Sequence, residues 1–179
     1  SDRLNAAFYR TKNAEGLQPQ PGRTGLIQMF PNNGWMAKAD LARRISYKER
    51  YGMCCDYVFG VELCLAAKQV YYLNEYVSFY RKTDVSISAT TRRSTSAASV
   101  SAYAFIEKLR LERQLEPARK LALRRIVPIV VSVYSRNHDP VKGLRIAAKN
   151  LFAYNYGFSM RLYYHLMMIS RSMLTLRSE

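Results

Sequence analysis

Acidic residues are few: 13 Asp+Glu stand against 28 Lys+Arg, a formal net charge of +15 over 179 residues. Such a surface attracts polyanions by electrostatics alone, whether nucleic acid, anionic lipid headgroups or phosphorylated ligands. Cysteine is scarce as well. Cys54, Cys55 and Cys64 are an odd number with a vicinal pair, which argues against a disulfide framework and suits a reducing compartment. The two histidines, His138 and His165, lie far along the chain from the cysteines, so a Cys/His zinc site has no fourth ligand nearby. Long apolar runs are missing too. The longest, 126–134, is interrupted by Pro128 and Ser132 and reaches about half the ~20 residues of a spanning helix. The first residues are polar and charged, unlike a signal peptide. These absences leave a protein that is soluble or lies on a membrane without crossing it.

What is present is the composition of a folded chain, 49% hydrophobic and 12% aromatic, long enough to bury a real core. Helix is open to residues 5–10. Gln18-Pro19-Gln20-Pro21-Gly22 reads as a loop, because two prolines and a glycine punctuate it. Residues 25–30 read as a short buried strand closed by Pro31-Asn32-Asn33-Gly34, and 35–45 carries apolar residues at near-helical spacing. Ser46 to Gly52 is a polar connection. Asp56 stands where a helix N-cap belongs, ahead of Val58, Phe59, Val61, Leu63 and Leu65, and such a cap is worth about 1 kcal/mol. The helix spans 56–68, a strand follows over 70–73, Asn74-Glu75 turns, and a second strand ends on Tyr80-Arg81.

Beyond Ala89 the text is helical. Residues 99–114 form one segment. Glu116-Pro117 opens a second with proline in its first turn, and Pro128 predicts a kink or break inside it. Asp139-Pro140 opens a third, with a cap and a first-turn proline, running to about 154. A last helix covers 158–176. Lys142, Arg145, Lys149, Arg161, Arg171 and Arg177 lie among Phe152, Tyr154, Tyr156, Phe158, Tyr163 and Tyr164. That mixture suits either a membrane interface or a helical bundle with half-buried rings.

The stretch Leu73-Asn74-Glu75-Tyr76-Val77-Ser78-Phe79-Tyr80-Arg81, followed by Lys82-Thr83-Asp84-Val85-Ser86-Ile87-Ser88 and preceded by the Asp56 helix, resembles the second half of family-2 glycosyltransferase domains. Cys55 takes the place of a glutamate usual before the aspartate, Thr83 that of a histidine that helps hold a metal, and an Asp-x-Asp motif is not found. The resemblance implies an α/β fold. Residues 1–92 would be the acceptor-side half of an incomplete GT-A-like domain and 93–179 a basic α-helical tail. It implies an inverting transferase in which Asp56 is the general base and Arg81, Tyr80 and Ser86 lie toward the donor diphosphate. The partners would be a nucleotide-sugar donor and a saccharide or lipid-linked acceptor, in cell-surface polysaccharide synthesis. Magnesium or manganese is expected in the complete enzyme, with no ligand set identifiable here. A fragment lacking the donor-binding half is expected to be inactive alone. The location implied is cytoplasmic, on the inner face of an anionic membrane. The alternative is a basic helical module without catalytic activity that binds nucleic acid or a membrane surface.

Overall fold

The computed structural model describes residues 2–29, 34–75, 92–137 and 139–154, with single positions 163, 166, 167, 170 and 174 beyond them. The expected second strand to Arg81, its serine-rich loop, both histidines and most of the last helix lie outside the described residues. Positions 163, 166, 167, 170 and 174 have helical backbone.

The described residues are mostly helical, with one two-stranded sheet. Helix α1 (Asp2–Ala7) ends at Tyr9, which adopts a left-handed φ of 56°. Strand β1 (Gly16–Leu17) pairs antiparallel with β2 (Tyr71–Tyr72), Gly16 opposite Tyr72 and Leu17 opposite Tyr71. The expected 70–73 strand is thus present at two residues.

Of residues 25–30, expected as a strand, 25–28 belong instead to helix α2 (Pro21–Gln28), Met29 is its C-cap, and Phe30 lies outside the described residues. Pro21 opens the helix, so the expected loop 18–22 ends two residues early, at the N-cap Gln20: the fixed φ of proline suits a first helical turn. Gly22 and Gly25, three apart, share one face. A Cβ on Gly25 would stand 2.7 Å from Cys64 Cβ and 3.1 Å from Val61 Cα. This close approach fixes α2 against α4 (Cys55–Ala66), and helical spacing is what puts both glycines on that face. A short apolar run fits either period, and here the contact with α4 decides.

Helix α3 (Ala39–Arg44) is shorter than expected; Trp35 and Tyr47 outside it close over Phe59 of α4 at 5.3 and 4.3 Å between ring centroids. Helix α5 (Arg92–Lys108), α6 (Glu116–Arg136) and α7 (Pro140–Lys149) follow, as the helical reading of the tail requires. Helix α6 continues through Pro128. Its Val127, Pro128, Val130 and Val131 are buried, and α2, α5 and α7 all pack on it. At about 1.5–3 kcal/mol per buried aliphatic side chain, that burial outweighs the roughly 3 kcal/mol of an interior proline. Asp139 caps α7 as expected, accepting a hydrogen bond from Lys142 N at 3.1 Å.

The core is one cluster. Leu26 and Ile27 of α2, Val58 and Val61 of α4, Ala102 and Ile106 of α5, Val127 and Val130 of α6 and Ile146 of α7 all belong to it. It draws on residues from both sides of position 92.

Candidate functional site

The candidate base enters through a turn. A 3-10 segment, Glu49–Cys54, precedes α4, and its Gly52 adopts φ 51° with ψ −129°. A residue with a Cβ would be strained there, so the glycine sets the direction in which α4 starts. Cys54 is the N-cap and makes no side-chain capping bond. Asp56 therefore lies inside the first turn and not at the cap where the sequence placed it. The shift costs it the capping bond but leaves the helix dipole, which favours a carboxylate there by about 0.3–1 kcal/mol.

The Asp56 side chain is half-buried. Its Oδ1 accepts from Cys55 Sγ at 3.6 Å, and no Lys or Arg among the described residues forms an ion pair with it. Burial pushes the Cys55 thiol up, and the Asp56 charge adds to the shift. Burial also raises Cys54 to about 11 and Cys64 to about 12. All three are free cysteines, and as neutral thiols at pH 7 they are poor nucleophiles and poor metal ligands. What remains at the start of α4 is a half-buried carboxyl group with no ion-pair partner among the described residues.

The next residue faces inward. Tyr57 donates its hydroxyl hydrogen to Leu26 O at 3.1 Å and stands edge-on to Phe105 at 6.5 Å; burial pushes its phenol above the ordinary range. With Leu26, Met29, Cys54 and residues of α5 and α6 it lines an apolar cavity of about 290 Å³. Arg125, in the cavity wall, donates to Ile27 O and Ala7 O, both at 2.5 Å. These contacts span 98 and 118 positions, so no local pattern announces them. The one hint in the sequence is the pair Arg124-Arg125 between the apolar residues of 121–127 in α6.

Tyr80, Arg81, Ser86 and Thr83 lie outside the described residues. Of the basic tail residues, Lys142, Arg145 and Lys149 are exposed along one side of α7. Lys149 Nζ pairs with Glu107 at 2.7 Å, and Lys142 Nζ sits 4.7 Å from the centre of the Tyr134 ring. Among the described residues no three His, Cys, Asp or Glu side chains gather as a metal site. No helix among them is long and apolar enough to cross a membrane. No protein-family model, curated protein or solved structure matches the chain.

Proposed function

We propose that the chain is the acceptor-side part of an inverting, family-2-like glycosyltransferase, moving a sugar from a nucleotide-sugar to a saccharide or lipid-linked acceptor. The observation that carries the reading is Asp56: a half-buried carboxylate, without an ion pair among the described residues, in the first turn of α4, on a helix that leads into β2. Inversion needs one base on the face of the sugar opposite the leaving diphosphate. Asp56 takes the acceptor hydroxyl proton as that oxygen attacks the anomeric carbon, and the diphosphate departs with the bonding electrons. Arg81, Tyr80 and Ser86 are assigned to the donor diphosphate, where a planar guanidinium can bridge two phosphate oxygens. The described residues hold no ligand set for a divalent cation, so no step is routed through one.

The decisive experiment uses the enzyme complete with its donor-binding half. Asp56→Asn keeps the shape but cannot take a proton; transfer should fall at least the 10²–10⁴-fold typical of a lost general base, with nucleotide-sugar affinity unchanged. Activity within a few-fold of the parent would return Asp56 to a helix-dipole role. The non-catalytic alternative, a basic module on nucleic acid or a membrane surface, draws on the exposed cations of α7.

A further inference from the structure

We propose that the cavity between α2, α5 and α6 binds a single-chain lipid phosphate, its chain among Leu26, Ile106, Ile126 and Ile129 and its phosphate on Arg10 and Arg125. The inference is independent of the sugar-transfer reading and rests on the shape, lining and charge of this one place.

Shape and lining select an alkyl chain. The volume of about 290 Å³ is near the lower end of small-molecule sites, roughly 300–1,000 Å³, and well above the ~150 Å³ that admits benzene. Leu26 and Ile106 at its floor are 1% exposed, while Met29 and Ile129 at its rim are 40% and 45% exposed. The void thus has an apolar floor and an open apolar mouth, the profile of a slot for a chain whose head stays near water. Each methylene moved into it is removed from water, which favours binding.

Charge selects the head. Phe8, in the cavity lining, lies under two guanidiniums: Arg125 Cζ is 4.5 Å and Arg10 Cζ 5.2 Å from its ring centre. Each is therefore within a Debye length of the other, about 10 Å at 0.1 M salt. No carboxylate among the described residues pairs with either. Burial lowers the pKa of both; for Arg125 the Tyr9 and Tyr57 phenols oppose this and the charge of Arg10 adds to it. Part of their hydrogen-bonding capacity is structural. Arg125 holds Ile27 O and Ala7 O, and Arg10 Nη1 holds Met29 O at 3.2 Å, so the two cations close the carbonyl end of α2. That role leaves the buried Arg10 Nε without a partner and leaves Arg125, in the wall of the apolar void, and the nearby Arg10 without a carboxylate among the described residues. A phosphate monoester carries about −1.5 to −2 at pH 7, which matches two guanidiniums better than a single carboxylate does. It also accepts those N–H donors of the two guanidiniums that the backbone carbonyls leave free.

The test is calorimetric titration of the 179-residue chain with dodecyl phosphate below its micellar concentration, beside dodecanoate, dodecyl maltoside and inorganic phosphate. Dodecyl phosphate should bind at least tenfold more tightly than each of the other three. Equal affinity for dodecyl maltoside would mean apolar adhesion alone, equal affinity for inorganic phosphate would mean an anion site without a chain slot, and either result overturns the proposal. Ala98→Phe, which fills the cavity from α5, and Arg10→Gln, which removes half the head contact, should each weaken dodecyl phosphate at least tenfold while the helical circular dichroism persists. Should Ala98→Phe unfold, Met29→Trp at the exposed rim takes its place with the same expectation. Unchanged affinity in both the filled and the Arg10→Gln variants would overturn it as well.

Discussion

At the scale of single residues, two glycines predict opposite signs. Gly25 lies where a Cβ meets Cys64 Cβ and the Val61 backbone, neither the free end of a side chain, so α2 and α4 would have to separate. Gly25→Ala should destabilise by about 1–3 kcal/mol. Gly60, inside α4, has nothing within 4 Å of its would-be Cβ, and Gly60→Ala should stabilise by about 0.5–1 kcal/mol through helix propensity and a less flexible unfolded chain. Urea titrations of the two variants beside the parent read both; the same sign for both would mean that α2 does not lie against α4 as described. Glu107 supplies a pH test. Burial raises its carboxyl pKa, but hydrogen bonds from Lys149 and Tyr103 and the Lys149 charge outweigh it, and the net direction is down. A lowered folded-state pKa gives stability that is present above the ordinary carboxylate range, near pH 4.3, and lost as pH falls toward the folded value. Between about pH 5 and pH 3 the melting temperature of the parent should therefore fall more steeply than that of Glu107→Gln. Because Lys149 is largely exposed, the difference should shrink in high salt. Parallel curves would remove Glu107 from the acid-sensitive set.

At the scale of elements, what could be read from sequence was what local chemistry decides. The cap and first-turn proline of α7 were legible in Asp139-Pro140, and Asp139→Ala, losing the bond to Lys142 N, should cost about 1 kcal/mol in thermal unfolding. A loss below a few tenths would mean that water replaces the cap. The α4 helix and the strand after it were legible because an apolar helical run stops before Val70-Tyr71-Tyr72. The α2 helix was not, because the contact that selects it, Gly25 on Val61 and Cys64, lies almost forty positions away in sequence. Nor was the partner of β2, which pairs with β1 far upstream and has no signal of its own in two residues. Pro128 does not break the helix for a related reason: its local penalty is real, but α6 is held on several sides. Of the candidate site, the place of Asp56 at the start of α4 was legible to within two residues of the cap. The Arg10–Phe8–Arg125 group was not, since it joins the start of the chain to a helix more than a hundred positions away. The link from α5 to the end of α7, in which Asn150 Nδ2 donates to Tyr103 Oη at 3.2 Å and Tyr103 donates to Glu107 at 2.7 Å, is equally invisible to spacing.

At the scale of the whole molecule, the +15 charge is the property that no single site absorbs. The described ion pairs use few of the cations: Arg44 with Asp40, Lys48 with Glu62, Arg119 with Glu116 and Lys149 with Glu107. Arg145 stays exposed on α7 between Lys142 and Lys149, and Val141 and Leu151 near it are 59% and 69% exposed. Cations beside exposed aliphatic side chains suit a headgroup layer, where the charges meet phosphates and the apolar groups enter the acyl boundary. At roughly 1 kcal/mol per basic residue near an anionic surface, three cations on one face give weak, reversible attachment. The chain should sediment with vesicles of phosphatidylserine and phosphatidylcholine and much less with phosphatidylcholine alone, and salt should release it as the Debye length shortens. Lys142→Gln, Arg145→Gln and Lys149→Gln together should reduce the bound fraction several-fold with the helices intact. Binding to neutral vesicles as strong as to anionic ones would reassign this face to helix assembly. Tighter, salt-sensitive binding to duplex DNA than to any vesicle would favour the nucleic-acid module, since log affinity for a duplex falls with log salt in proportion to the phosphates contacted.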